Sequence, residues 1–225
     1  MNLGGTTVED EEMPTQVIGL GAGGHAKVVI DILIREEHRR LAGLLDKDPA
    51  LWGREVMGLP VLGGDELLPG LREKGFAAFF IGLGGVGDLS PRIALFEAAL
   101  AAGLTPVEAV HPRAVVAESA ILGPGITIMA GAVINPGAEL GKNVIVNTGA
   151  VVEHDCLIRD HAHIATGAVL SGGVRVGRAA HVGAGAVVRQ GLTIGEEALV
   201  GAGAMVVEDV ADGAVVVGNP ARTMD

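Results

Sequence analysis

The feature that most constrains the fold is a repeat of period six between Val110 and Val206. Every sixth residue is aliphatic, without a gap, at seventeen positions: Val110, Val116, Leu122, Ile128, Ile134, Leu140, Val146, Val152, Ile158, Ile164, Leu170, Val176, Val182, Val188, Ile194, Val200 and Val206. An α-helix needs a period of 3.6, and an isolated strand a period of two. A period of six sustained over this length predicts a hexapeptide β-helix.

A second ladder supports this prediction. The residue two places before each aliphatic position is usually small, as at Ala114, Ala120, Ala132, Ala138, Ala150, Cys156, Ala162, Ala168, Ala180, Ala186, Ala198 and Ala204. Three hexapeptides make one triangular coil of about 18 residues, so the stretch predicts roughly five coils. We expect the aliphatic residues inside the prism and small residues or Gly at its corners. Each coil buries its ladder only against its neighbours.

Composition excludes several classes of protein. The net charge of −11 disfavours nucleic-acid and anionic-membrane partners, which need a positive surface. One Cys excludes an intramolecular disulfide framework. Residues 1–14 are acidic and lack an apolar segment, so we expect a flexible tail rather than a signal peptide. No uninterrupted apolar run is long enough to suggest a membrane span, and we expect a cytoplasmic protein.

Residues 15–109 alternate between strand and helix patterns. The pattern predicts strands at 16–20, 42–46, 77–82 and 105–110, and helices at 26–40, 66–74 and 91–102. This alternation is typical of a small α/β domain with a parallel sheet. Residues 110–225 then form the predicted β-helix domain, which ends in a turn at 218–222.

A glycine-rich loop follows the first predicted strand. Gly19, Gly21 and Gly24 match G-x-G-x-x-G before a helix, and Asp46 ends the next strand. Amides at a helix N-terminus bind any phosphate, and about 95 residues make half of a full dinucleotide fold. We therefore favour a mononucleotide or nucleotide-sugar site over an NAD site or a purely structural turn. His25 could contact a phosphate or a sugar hydroxyl.

Four of the seven histidines cluster on neighbouring coils of the β-helix. His163 and His181 are three hexapeptides apart, so they should stack on adjacent coils. A histidine such as His154 suits a general base near neutral pH. Asp155 could orient it only if the coil bends there, because neighbours on a regular strand face opposite sides. The alternative is a zinc site that uses His161 and His163.

Several motifs together resemble the sialic acid O-acetyltransferase/acetylbacillosamine N-acetyltransferase family of the NeuD/PglD type. They are the glycine–histidine loop at 21–25, the run at 147–156, the run at 161–164 and the terminal turn at 218–222. The resemblance covers nearly all of residues 15–223. It implies a small Rossmann-like domain followed by a left-handed parallel β-helix, assembled as a homotrimer with the CoA site between subunits. The implied activity is transfer of acetyl from acetyl-CoA to an amine on a nucleotide-linked sugar, or in some members to a hydroxyl.

The resemblance also implies roles for single residues. The catalytic set would be His154 as the general base, Asp155 as its supporting carboxylate and Asn147 on the substrate side of the same cleft. The acetyl-CoA set would be His163, Gly172, Ala184, Ala202 and Arg222. The set for the nucleotide-linked amino sugar would be Gly23, Gly24, His25, Asp46, Lys47 and Gly82. Many relatives carry an Asn after the third strand, where this chain has the glycine-rich segment 82–88.

Three classes of function remain open at this point. The first is acetyl-CoA-dependent transfer to an amino sugar by direct attack, since Cys156 lies on the small-residue ladder and is interpreted as a packing residue. O-acetylation of sialic acid or a related sugar is a variant of it. The second is a zinc-dependent hydratase like the hexapeptide-helix carbonic anhydrases. The third is a nucleotide-binding scaffold without catalysis.

Overall fold

The computed structural model describes residues 15–35 and 39–224, so the tail expected at 1–14 lies outside the described residues. The first part of the chain contains six strands, two α-helices and two short 3₁₀ helices in the described ranges. Their bounds are β1 Thr15–Leu20, α1 Gly24–Leu33, β2 Arg39–Leu45, 3₁₀ Pro49–Leu51, β3 Glu55–Val56, β4 Leu59–Gly63, 3₁₀ Asp65–Gly70, β5 Phe76–Ile81, α2 Ser90–Ala101 and β6 Thr105–Pro106.

These strands form one sheet in the order β3-β4-β2-β1-β5-β6. All pairs are parallel except the β3–β4 hairpin. One face packs on α1 and the other on α2, which gives two apolar cores. The strand order reverses beside β1, so its carboxyl end opens a crevice between neighbouring strands. Ligands of open α/β sheets bind in such a crevice.

Three boundaries differ from the sequence predictions. The helix expected to reach Arg40 ends at Leu33, because Arg39–Leu45 pairs with β1 as a strand. The helix expected at 66–74 is a short 3₁₀ segment containing Pro69, which lacks the N–H that an α-helix interior requires. The strand expected at 105–110 divides between the two domains, since β6 pairs with β5 and the next strand joins the prism.

The prism is built from two-residue strands, one per hexapeptide. They are β7 Ala109–Val110, β8 Val115–Val116, β9 Ile121–Leu122, β10 Thr127–Ile128, β11 Val133–Ile134, β12 Glu139–Leu140, β13 Ile145–Val146, β14 Val151–Val152, β15 Leu157–Ile158, β16 His163–Ile164, β17 Val169–Leu170, β18 Arg175–Val176, β19 His181–Val182, β20 Val187–Val188, β21 Thr193–Ile194, β22 Leu199–Val200 and β23 Met205–Val206. Strands β24 Val215–Val217 and β25 Arg222–Thr223 form an antiparallel pair that ends the chain.

Every third strand pairs in parallel, which gives the prism three faces. Face 1 contains β7, β10, β13, β16, β19, β22, β24 and β25, face 2 contains β8, β11, β14, β17, β20 and β23, and face 3 contains β9, β12, β15, β18 and β21. The register advances by one full coil, as in the pairing of Ile128 with Val146 and of Val146 with Ile164. The aliphatic ladder fills the interior. The chain thus folds as a left-handed parallel β-helix behind a Rossmann-like domain, which confirms the predicted fold class.

The corners of the prism need residues with positive φ. Gly occupies many of them, but Asn143, Asp155, His161, Ala179 and Glu197 adopt φ between 54° and 63°. A side chain in this conformation costs roughly 1–2 kcal/mol compared with Gly. The surrounding coil therefore stabilises these five residues in a left-handed backbone conformation that they would otherwise disfavour.

Helix α2 joins the two domains through polar contacts. The Arg92 side chain is buried and donates from one Nη to the Asn143 carbonyl at 2.6 Å. On the same helix, Glu97 accepts from Lys142 Nζ at 2.8 Å, and Phe96 packs edge-on against the His161 ring. These contacts fix the sheet domain against face 1. No helix within residues 15–35 and 39–224 is long and apolar enough to cross a membrane.

Candidate active site

His154 and Asp155 form a close pair at the corner that follows β14. Their Nδ1–Oδ2 distance is 2.8 Å, and Asp155 has a φ of 58°. This positive φ supplies the bend that the sequence showed to be necessary. Because a carboxylate can only accept, Nδ1 carries the proton and Nε2 presents a lone pair. The hydrogen bond to Asp155, helped by the charges of Asp155 and Glu153, raises the pKa of His154 above 6.5.

Gly172 lies one coil above His154 and directly against its ring. A Cβ built on Gly172 would lie 2.5 Å from His154 Nε2, so only glycine leaves room for the ring here. Gly173 N–H donates to the His154 carbonyl, whereas Gly172 N–H has no acceptor among the described residues. A free amide therefore stands beside the basic nitrogen.

His163 on face 1 and Asn147 at the turn that follows this face form a second group. Asn147 Oδ1 accepts from Thr148 N–H at 2.7 Å, and its Nδ2 lies 3.3 Å from His163 Nε2. The other ring nitrogen, His163 Nδ1, lies 2.9 Å from the carbonyl oxygen of Gly85 in the sheet domain. The ring packs edge-on against His181 at 4.8 Å between centroids. Burial lowers the pKa of His163 to about 3, and the charges of His181, Arg92 and His25 contribute.

Ala184 and Ala202 continue the corner that begins with Asn147. Gly185 N–H donates to Thr166 O and Gly203 N–H to Ala184 O, which stacks these turns coil on coil. Both alanines are exposed, and Arg222 is exposed in β25 at the end of face 1. This exposed corner therefore presents backbone atoms and small side chains along the prism, and the Arg222 guanidinium lies near its end.

One chain does not bring all of the predicted catalytic and acetyl-CoA residues together. His154, Asp155 and Gly172 lie at turns that follow face 2. Asn147, Ala184 and Ala202 lie at turns that follow face 1, and His163 lies on face 1 itself. The expectation that Asn147 shares a cleft with His154 is therefore not met within a single chain. The two groups of residues, called half-sites below, occupy successive corners of the same prism.

A cavity of about 770 Å³ opens at the carboxyl edge of the sheet. Of the set expected for the nucleotide sugar, Gly23, Asp46 and Lys47 line its wall, whereas Gly24, His25 and Gly82 do not; Gly21 and apolar residues of α2 complete it. Asp46 is held by two backbone amides: Oδ2 accepts from Ala22 at 2.7 Å and Oδ1 from Asp48 at 2.9 Å. The carboxylate thus braces the glycine loop against the end of β2.

Gly23, Gly24, His25 and Gly82 have different surroundings at this edge. Gly23 and Gly24 are exposed at the start of α1, with open space where a Cβ would stand. A Cβ on Gly82 would collide with the Gly21 carbonyl, so Gly82 permits the close approach of two strand ends. His25 Nε2 is buried without a partner in the described chain, and burial lowers the pKa of His25 to about 4. His25 is therefore a neutral imidazole at neutral pH.

The structure also shows where Cys156 lies and how the histidines of the zinc hypothesis are arranged. Cys156 is 1% exposed in the prism core, its Sγ lies 3.3 Å from Ser171 O, and burial raises the pKa of the thiol. The zinc hypothesis pairs His161 with His163, but the two rings have different neighbours. His161 contacts Asn143 and Phe96, whereas His163 contacts the Gly85 carbonyl. Within the described ranges no group of three or more His, Cys, Asp or Glu side chains is arranged to hold a metal ion.

Sequence reasoning missed two contributors to these sites. Asp65 lines the cavity beside Asp46 and Lys47, and burial raises the pKa of its carboxyl. Gly85 supplies the carbonyl that meets His163, 78 residues further along the chain. The run of glycines at 82–88 marked this loop as unusual, but no sequence pattern connects it to His163.

Comparisons with known proteins agree with the architecture. Residues 16–99 match the family model described as the PglD N-terminal domain. No match was found among curated proteins.

Three solved structures resemble the chain over nearly its whole length. Perosamine N-acetyltransferase from Caulobacter crescentus, in complex with CoA and GDP-perosamine, is 43% identical with a TM-score of 0.86, covering 93% of this chain and 97% of that chain. The acetyltransferase domain of PglB from Neisseria gonorrhoeae, in complex with acetyl coenzyme A, is 38% identical with a TM-score of 0.86, covering 94% and 100%. WeeI from Acinetobacter baumannii is 28% identical with a TM-score of 0.74, covering 93% and 100%.

Proposed function

The chain belongs to the NeuD/PglD-type family of hexapeptide-repeat acyltransferases, and on that premise we propose that it transfers acetyl from acetyl-CoA to the amino group of a nucleotide-linked amino sugar. The observation that carries the proposal is the His154–Asp155 pair with its basic nitrogen against Gly172. The two similar structures with CoA or acetyl-CoA bound belong to proteins named as acetyltransferases.

In this proposal His154 is the general base. Its Nδ1–H is bound to Asp155, so Nε2 is free to accept a proton from the attacking amine. The raised pKa makes Nε2 a stronger base than an ordinary imidazole, and the Asp155 carboxylate stabilises the imidazolium that forms.

The reaction is a direct displacement. The amine nitrogen forms a bond to the thioester carbonyl carbon while its proton passes to His154. Gly172 N–H donates to the tetrahedral oxyanion, a contribution of about 3 kcal/mol for one well-placed donor. The C–S bond then breaks, and the CoA thiolate leaves and takes up the proton held by His154. No acyl-enzyme is needed, which agrees with the buried position of Cys156.

The two half-sites motivate a homotrimer as part of the proposal. A groove between adjacent prisms would set His154, Asp155 and Gly172 of one subunit opposite a partner's face-1 corner. That corner would supply Asn147 on the substrate side and His163 near the thioester end. The pantetheine arm would follow the exposed corner at Ala184 and Ala202, and Arg222 would meet the adenosine phosphates.

The sheet-edge cavity is the proposed nucleotide site. Gly23, Gly24 and His25 would meet the pyrophosphate and sugar, since the open N-terminus of α1 favours anions. Asp46, Lys47 and Gly82 would border the base and ribose. The cosubstrate acetyl-CoA is a product of central metabolism, so we place the protein in the cytoplasm.

The test is release of CoA thiol from acetyl-CoA with UDP-, GDP- and dTDP-linked amino sugars, each beside the matching hydroxyl sugar. We expect turnover with one amino sugar and a large loss in His154→Ala. Turnover with the hydroxyl sugars alone would replace N-acetylation by O-acetylation. Absence of thiol release, together with no protection of the fold by acetyl-CoA against heat, would contradict the acyltransferase assignment.

A further inference from the structure

The hydrogen bonds around His163 determine its tautomer. The Asn147 amide cannot be flipped, because its Oδ1 accepts from Thr148 N–H. Its Nδ2–H group therefore faces His163 Nε2, which must accept. The Gly85 carbonyl can only accept, so His163 Nδ1 must donate. All three contacts agree on one neutral ring with its proton on Nδ1.

This tautomer leaves His163 without a free donor. Its Nδ1–H is directed to Gly85 and its Nε2 receives the Asn147 amide. His163 is 6% exposed and lies beneath the sheet domain, so the ring has little room to turn. His163 is therefore unsuited to donate to a thioester oxyanion. Asn147 uses one N–H of its amide for His163, so its second N–H remains available as a donor to a ligand. Asn147 is half-buried at the corner of the prism.

We infer that His163 is a positioning residue that links the nucleotide domain to the reaction cleft by aiming the Asn147 amide. The inference rests on the proposed function. The chain of contacts runs from Gly85 O through His163 to Asn147. Gly85 belongs to the loop that follows β5, and Leu83 of the same loop lines the nucleotide cavity. The position of this loop is thereby coupled to the direction of an amide donor at the corner of the prism.

Two variants with amide side chains distinguish the two hydrogen bonds of His163, one to Gly85 and one to Asn147. In His163→Asn, the side-chain NH₂ can occupy the place of Nδ1 and donate to Gly85, but nothing replaces Nε2. In His163→Gln, the side-chain oxygen can occupy the place of Nε2 and accept from Asn147, but the donor to Gly85 is lost. We expect His163→Asn to lower kcat about as much as Asn147→Ala does, roughly 10- to 100-fold, and His163→Gln to lower it less.

A double-mutant cycle tests whether His163 acts through Asn147. If it does, adding His163→Asn to Asn147→Ala costs less than a further twofold in kcat, because the amide that it aims is already gone. Losses that multiply would overturn the inference, since His163 would then act on acetyl-CoA independently. Thermal melting of all variants accounts for differences in folding.

A spectroscopic measurement needs no substrate. In ¹⁵N-histidine NMR of the wild-type protein, assigned with His163→Gln, we expect the signature of an Nδ1–H tautomer for His163. A protonated Nε2 or an imidazolium would overturn the inference whether or not turnover is found. Wild-type protein without turnover on any acceptor would contradict the proposed function, whereas multiplying losses in an active enzyme would contradict only the positioning role.

Discussion

Gly172→Ala should impair catalysis while leaving the fold intact. The backbone of Gly172 is not in the positive-φ region, so alanine introduces no conformational strain there. The new Cβ would stand 2.5 Å from His154 Nε2, whereas ordinary contact begins at 3.4 Å. The imidazole, which is more than half exposed, must therefore retreat by about 0.9 Å. A displacement of about 1 Å at a catalytic group costs roughly 100-fold in rate.

The matched control is Gly173→Ala. Gly173 has a φ of 68°, and nothing lies within 4 Å of a Cβ built there. Alanine at Gly173 is thus strained by about 1 kcal/mol but touches no catalytic group, as at Ala179, which adopts a φ of 54°. We expect kcat to fall only in Gly172→Ala and the melting temperature to fall mainly in Gly173→Ala. Both variants keep the backbone N–H, so a loss of kcat in Gly172→Ala reports on His154. Wild-type kcat in that variant, or an equal loss in the control, would refute the reasoning.

Four further predictions concern the same region of the prism. His154→Ala should lower kcat about 10²- to 10⁴-fold with little change in acetyl-CoA affinity, measured by thiol release and calorimetry; near wild-type turnover would remove His154 as the base. In the pH profile of kcat/KM, activity should fall as pH decreases through the raised pKa of His154, because the base must be neutral. Asp155→Asn should move this acidic limb to lower pH and lower the plateau, and an unchanged limb would contradict the role of the pair. Cys156→Ala should keep turnover within about tenfold of wild type, since the thiol lies in the core; a larger loss in a folded variant would point to an acyl-enzyme.

The prism could be predicted from the sequence because its interactions repeat locally. Each aliphatic residue meets its equivalents one coil away, so the period alone specifies both pairing and interior. The contact of Gly172 with His154 follows from the same spacing. Asn147 was expected in the same cleft as His154, but the hexapeptide between them carries the chain to the next corner of the prism.

The remaining features depend on contacts between distant segments. The link from His163 to Gly85 joins residues 78 positions apart in different domains, and no periodicity reports it. The end of α1 at Leu33 was missed because the sequence prediction extended the helix through the charged run at 35–40, whereas pairing of Arg39–Leu45 with β1 decides the structure. The side chain of Arg92 is buried against Asn143, although its sequence position resembles an ordinary helix surface.

The unbroken register of the prism has a consequence for how such chains can change length. Removing one complete coil would bring the flanking coils together with every side chain still at its own corner, displaced along the axis by one strand spacing of about 4.8 Å. Removing a single hexapeptide between His154 and Gly172 would instead move everything downstream to the next corner, so the two residues would no longer be in contact. Insertions and deletions that keep His154 beside Gly172 therefore come in whole coils. If the proposed groove binds acetyl-CoA, the number of coils up to Arg222 sets the length of cosubstrate that it can accept.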